Sequence, residues 1–125
     1  MNVSTPINAL LDISFPMIMA PMFLVSNENM MKAGIDAGVM ATFPTLNYRT
    51  EDELTQAIKT LHAYKKDKPG NFGVNLIAQK SNPFFEKHLK ICADNKVPFY
   101  ITSLGNPKKV IELAHGYGAK VFCDV

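Results

Sequence analysis

The stretch FPMIMA, residues Phe15–Ala20, carries the clearest information about the fold. It is a continuous apolar run, which is typical of a parallel strand covered on both faces. A second apolar run, Val39–Phe43, follows it. Between them, Ser26 is a candidate N-cap for a helix that ends before Gly38. The two runs and the helix therefore predict one βαβ unit.

The same alternation continues along the chain. Thr50 and Glu53 form a capping box at the start of a second helix. An asparagine followed by proline, at residues 82–83 and again at 106–107, predicts two further helix starts. Three more predicted strands complete the series: Phe72–Ala78, Val97–Thr102 and Lys120–Val125. The order βαβαβαβαβ indicates parallel strands joined by crossover helices.

The predicted fold class is α/β, made of the parallel βα units of an incomplete TIM (β/α)8 barrel. Eight such units give roughly the 250 residues of a complete barrel, so we expect residues 1–125 to be its N-terminal portion, with about five strands and four helices. The alternative is a five-stranded open sheet of the flavodoxin or receiver type. That alternative normally has a fifth helix, and it needs acidic or hydroxyl residues where this chain has Ala20, Pro21 and Met22.

Composition narrows the classes of function. The 125 residues carry a formal net charge of +2 and are 47% hydrophobic, which indicates a globular chain and argues against nucleic-acid partners and membrane surfaces. No apolar run approaches the ~20 residues of a membrane span, and no signal peptide is recognisable. Two cysteines beside seven methionines fit a reducing compartment. We therefore expect a cytoplasmic protein that binds a small-molecule substrate.

The carboxyl ends of the first four predicted strands carry no histidine, cysteine, aspartate or glutamate. Such a rim suits a planar, partly apolar ligand better than a hydrolase with its own nucleophile and base. Asn75 interrupts an apolar strand, and its amide matches the edge of a heterocycle, although bonding to neighbouring backbone would equally explain it. His62 and His88 are predicted to lie on helix surfaces, and the sequence has no metal-ligand spacing.

Four segments resemble, in order, the motifs of the nitronate monooxygenase (2-nitropropane dioxygenase) family. Residues 16–22, PMIMAPM, are similar to its P-I-x-x-A-P-M strand, and residues 72–75 match its F-G-V-N strand. Residues 103–107, SLGNP, resemble its G-x-G-x-P turn, with Ser103 in place of the first glycine. Residues 118–121, GAKV, resemble its G-x-K-V segment.

The resemblance implies a barrel that binds FMN without a covalent link. It implies that the backbone of Ala20, Pro21 and Met22 lines the isoalloxazine and that Asn75 hydrogen-bonds the ring. Lys120 would place a positive charge near the N1–C2 carbonyl edge, where it tunes the cofactor electrostatically. Ser103 would lie on the substrate side.

In the family, a nitronate is oxidised by FMN and oxygen reoxidises the flavin, while a flavin enoyl-acyl-carrier-protein reductase shares the architecture. The family's base histidine lies in a later Gly-Gly-His stretch, and phosphate loops of such barrels follow strands seven and eight. We therefore assign no catalytic residue here and expect this chain alone to bind FMN weakly and to turn over no substrate. Two alternatives remain: a non-catalytic half-barrel that self-associates through open sheet edges, and a five-stranded binding domain without flavin.

Overall fold

The computed structural model describes residues 3–125, which form five parallel strands and five α-helices. The strands are β1 (Ile18–Met19), β2 (Met40–Pro44), β3 (Asn71–Ile77), β4 (Phe99–Ser103) and β5 (Lys120–Cys123). The helices are α1 (Pro6–Leu11), α2 (Glu28–Asp36), α3 (Glu51–Lys65), α4 (Phe85–Asp94) and α5 (Lys108–His115), and a short 3-10 helix covers Thr45–Asn47.

The strand order settles the choice between the two predicted folds. Each strand pairs in parallel with the next one along the chain, in the order β1-β2-β3-β4-β5. A doubly wound sheet of the flavodoxin type would instead reverse its order beside the first strand. The sheet is a curled half-barrel with helices α2 to α5 on its outer side, so the predicted partial TIM barrel is confirmed and the open-sheet alternative is wrong.

The pleat of β3 separates the core from the barrel interior. Successive side chains of a strand point to opposite faces. Phe72, Val74 and Leu76 point outward, where they are fully buried against the helices in the main hydrophobic core. The alternate positions, which point inward, are Asn71, Gly73, Asn75 and Ile77. The inner face of this central strand therefore carries two amides, a glycine and, at its carboxyl end, one apolar side chain, while its outer face contributes to the hydrophobic core.

Helix α1 was not expected from the sequence, because it is short and has no apolar periodicity. Thr5 and Asn8 form a capping box at its start, and the chain continues through Leu11 and Ile13. Both residues pack with Met40 and Phe99 in a second, inner cluster of buried side chains. The segment therefore closes the barrel interior at the amino ends of the strands.

Strand β1 is much shorter than the predicted Phe15–Ala20. Prolines at both ends of this run lack the N–H groups that would extend the ladder. Only Ile18 and Met19 pair with β2, and the Thr42 hydroxyl adds a further hydrogen bond to the Met19 carbonyl. The Thr42 side chain thus replaces part of the missing backbone pairing between β1 and β2.

Of the predicted helix caps, the one at α3 is confirmed, and the other three helices begin with different cap residues. The Thr50–Glu53 capping box of α3 is confirmed, with Thr50 Oγ1 accepting from the Glu53 N–H at 3.1 Å. The cap of α2 is Asn27 and not Ser26. Helices α4 and α5 begin after the predicted caps, and their N-cap residues are Phe84 and Pro107.

No helix within residues 3–125 is both long and apolar enough to cross a membrane.

The prediction that His62 and His88 lie on the surface is wrong for His88, while His62 is partly buried. The His88 side chain is 3% exposed, and its Nδ1 lies 2.9 Å from Thr45 Oγ1. His62 is half-buried, with Nε2 2.7 Å from the Asn95 carbonyl oxygen. Burial lowers the pKa of both imidazoles below the usual range, and nearby Glu51 only partly offsets this for His88.

We predict that Gly73→Ala lowers the free energy of unfolding by about 2 kcal/mol, because overpacking a close-packed interior typically costs about 1–3 kcal/mol. A Cβ at Gly73 would lie 2.6 Å from both the ring and the carbonyl oxygen of Phe99. Urea unfolding followed by circular dichroism measures the change. Gly116→Ala is the control, since Gly116 has a right-handed helical backbone and its Cβ would be 3.2 Å from its nearest neighbour. Equal stability of the two variants would contradict this packing argument.

We also predict that the protein loses stability as the pH falls from 7 to about 5. The unfolded chain binds protons at histidines near their ordinary pKa of about 6.5, whereas the folded chain resists protonation at His88 and His62. Each such proton contributes a slope of at most about 1.4 kcal/mol per pH unit. Urea midpoints measured across this range test the effect. His88→Gln should flatten the pH dependence relative to the unmodified protein, and the same slope in both proteins would contradict the assignment.

Candidate functional site

A cleft of about 330 Å³ opens at the carboxyl ends of β1, β2 and β3. The side chains around it are apolar except for one amide, and none is ionisable. They belong to Pro21, Phe23, Pro44, Leu46, Asn75 and Ile77. The cleft therefore provides flat apolar walls with a single hydrogen-bonding side chain, as the sequence predicted for this rim.

Asn75 is held in a fixed orientation at the base of this cleft. It is 7% exposed, and its Nδ2 donates to the Ile101 carbonyl at 3.0 Å and to Ser103 Oγ at 2.9 Å. Because the Ile101 carbonyl only accepts, the amide nitrogen must face β4. Both donors of the amide are thus occupied, and the predicted residues Asn75 and Ser103 are brought into direct contact.

The Asn75 Oδ1 atom accepts no hydrogen bond from the residues that the structure describes, and it is not sealed from the solvent. Since the nitrogen is fixed toward β4, this oxygen is the polar atom that Asn75 offers to the cleft. An acceptor at this place fits the imide N–H on the pyrimidine edge of an isoalloxazine. The residues present therefore fit the flavin that the motifs imply, through an acceptor and not through the donors.

Pro21 also lines the cleft, and it lies between Ala20 and Met22 in the connection from β1 to α2. Proline has no N–H to offer. The Met22 N–H donates to Ser26 Oγ at 2.8 Å, and the Met22 carbonyl accepts from the Val25 and Ser26 amides. With these groups occupied, Pro21 and Met22 have no free N–H, and we expect them to contact a ligand mainly by van der Waals packing.

Ser103 and the turn after β4 lie close to the end of β3. The Ser103 carbonyl accepts from the Ala78 N–H at 2.8 Å, and the turn then approaches Ala78 again at Gly105. A Cβ at Gly105 would lie 2.2 Å from the Ala78 carbonyl oxygen. The glycine of this turn is therefore required by the close approach of two backbones.

Lys120 is not among the residues that line the cleft. It pairs with Phe99, while Asn75 pairs with Ile101 one layer nearer the carboxyl ends of the strands. Lys120 shares a face with Phe122, whose ring contacts Phe99 in the interior. Its ammonium group would have to extend along its four-carbon stem to reach the flavin. The contact with the flavin thus stays a prediction for Lys120.

The structure brings some of the predicted site residues to the cleft and leaves others away from it. Pro21 and Asn75 share the cleft, Ser103 bonds Asn75, and Ala20 and Met22 flank Pro21. Phe23, Pro44, Leu46 and Ile77 also line the cleft and were not predicted. Phe23, Pro44 and Leu46 follow predicted strands within a few residues, and Ile77 lies near the end of one. Within residues 3–125, no group of three or more histidine, cysteine or acidic side chains is arranged to hold a metal ion.

No family model matches the chain, and no curated protein sequence matches it either. Solved structures do. FabK from Thermotoga maritima is 32% identical, with a TM-score of 0.83 over 98% of this chain and 38% of that chain. A point mutant of the same FabK is 31% identical, with a TM-score of 0.82 over 98% of this chain and 40% of that chain. This chain thus spans about two fifths of the length of FabK, and the similarity supports, at a coarse level, the family that its four motifs resemble.

Proposed function

We propose that this chain forms the isoalloxazine-binding side of an FMN-dependent oxidoreductase. FMN would supply the electron transfer, and the residues of this chain would position its ring. The observation that carries the proposal is the unpartnered Oδ1 of Asn75, which faces an apolar cleft at the carboxyl ends of the strands. In parallel barrels, ligands bind at this end.

The cleft contributes recognition and orientation. Pro21, Pro44 and Ile77 offer apolar surface for the faces and edges of a planar ring, and Asn75 offers the acceptor for its imide N–H. The amide cannot rotate without losing its bonds to Ile101 and Ser103. A ligand therefore meets an acceptor that is already oriented, which reduces the entropy cost of binding. Lys120 would add a positive charge from the layer below.

Two reactions are candidates for the complete barrel. The four motifs resemble those of a family that oxidises nitronates with oxygen as the acceptor, but they do not separate this reaction from the second candidate. The similarity to FabK favours the second candidate, the reduction of enoyl-acyl-carrier-protein by a nicotinamide donor. The cleft residues described above serve either reaction, because they contact the cofactor and not a particular substrate.

We predict that lumiflavin, which is the ring without the phosphate, perturbs the NMR signals of the cleft. Titration of the labelled protein into the millimolar range should shift the side-chain amide signals of Asn75 and the backbone signals near Pro21 and Ile77. In Asn75→Leu, the backbone signals near Pro21 and Ile77 should report an apparent affinity at least about fivefold lower, because a hydrogen bond contributes about 1 kcal/mol.

The matched control is Asn71→Leu, which removes the other inward asparagine of β3. Asn71 donates to the Leu11 carbonyl at 3.0 Å, at the opposite end of the strand. Both variants lose a buried amide, so both should lose stability, but Asn71→Leu should keep the lumiflavin shifts. Shifts located away from the cleft, or equal losses in the two variants, would contradict the proposal.

The ring-binding role can be tested in a chimaera in which this chain replaces the matching 38% of FabK. The expected result is a flavin-bound protein whose reaction follows the FabK-derived remainder, because the cleft residues of this chain contact the cofactor and not the substrate. A chimaera that folds but does not retain FMN would argue against a ring-binding role for this segment.

A further inference from the structure

We propose that Asn47 is a positioning residue that holds the loop between β1 and α2, residues 20–27, in the shape that forms one wall of the cleft. Its consequence for ring binding rests on the proposed function. The loop supplies Pro21 and Phe23 to the cleft, whereas Asn47 belongs to the 3-10 helix after β2. The residue therefore acts on the ligand site through another segment.

Two hydrogen bonds tie the loop to Asn47. Its Oδ1 accepts from the Leu24 N–H at 2.7 Å, and its Nδ2 donates to the Ser26 carbonyl at 3.2 Å. One bond needs an acceptor and the other a donor, so a side-chain amide is required and its orientation is fixed. An alanine would lose both bonds, and an aspartate could keep only the first.

The loop needs such a tether because packing does not fix its shape. Leu24 has φ 58°, in the left-handed region that residues with a Cβ adopt only at a cost. Its side chain is 70% exposed, and that of Phe23 is 61% exposed. Burial of these two side chains therefore does little to offset the cost of the left-handed backbone at Leu24. The bond from Asn47 to the Leu24 amide stabilises this backbone conformation directly.

A second bond closes the loop on itself. Ser26 is buried, and its Oγ accepts from the Met22 N–H at 2.8 Å. This contact fixes the distance between the two ends of the loop but does not attach the loop to the rest of the barrel. Asn47 makes that attachment, and its neighbour Leu46 lines the same cleft. The side chain thus couples the wall that follows β1 to the wall that follows β2.

The experiment compares Asn47→Ala and Asn47→Asp with the unmodified protein. Amide hydrogen exchange at Leu24, measured without ligand, should become at least about tenfold faster in Asn47→Ala and should change less in Asn47→Asp. The lumiflavin affinity should fall about fivefold in Asn47→Ala, the loss expected for one hydrogen bond. Asn95→Ala is the control, because Asn95 bonds the Ile91 carbonyl at the opposite end of the barrel.

The control should keep both the exchange rate at Leu24 and the lumiflavin affinity, even where its stability falls as far as that of Asn47→Ala. Unchanged exchange at Leu24 in Asn47→Ala would overturn the tether. Faster exchange with unchanged lumiflavin affinity would overturn the positioning role. Absence of lumiflavin binding to the unmodified protein would contradict the proposed function, whereas the exchange rates, measured without ligand, would still decide whether Asn47 holds the loop.

Discussion

The inward position of Asn75 depends on the pleat of β3, because the same strand supplies the core on its other face. Phe72, Val74 and Leu76 are fully buried under the helices, and this fixes the register of the strand. A slip of one residue would bury Asn75 in the outer core and turn three apolar side chains toward the inner face, where Phe99 already occupies the space beside Gly73. The register is therefore strongly specified. Burial of the apolar side chains on the outer face of β3 thus determines that the Asn75 amide lies on its inner face.

This division leaves the inner face free to carry function. Phe99 fills the space that Gly73 leaves, and Asn71 and Asn75 pair their amide groups with backbone or side-chain partners across the interior. A buried polar group without a partner costs about 1–3 kcal/mol, so such groups are normally paired. The Asn75 Oδ1 avoids this cost because the cleft keeps it accessible. A ligand that donates to this oxygen gains a hydrogen bond, and the bonds from the Asn75 amide nitrogen to Ile101 and Ser103 stay intact.

The sequence predicted the architecture well and the local detail less well. Continuous apolar runs and helix caps gave the alternation of strands and helices, and the confirmed fold follows from it. The limits came from competing local effects: prolines on both sides of Ile18–Met19 shortened β1, and Ser26 bonds within its own loop instead of capping α2. His88 shares the apolar face of α4 with Leu89 and Cys92, so helical spacing alone could have placed it inside.

The candidate site was predicted through residue types that suit a ring, and the residues that shape it were not. Asn47 lies in a connection without apolar periodicity, and its bonds to Leu24 and Ser26 join segments about 20 residues apart. Nothing in a local pattern reveals such a contact, since it depends on two loops meeting above adjacent strands. The cleft itself contains no ionisable side chain. Under the proposed function, this part of the barrel contributes affinity and orientation, and any proton transfer depends on groups outside this cleft.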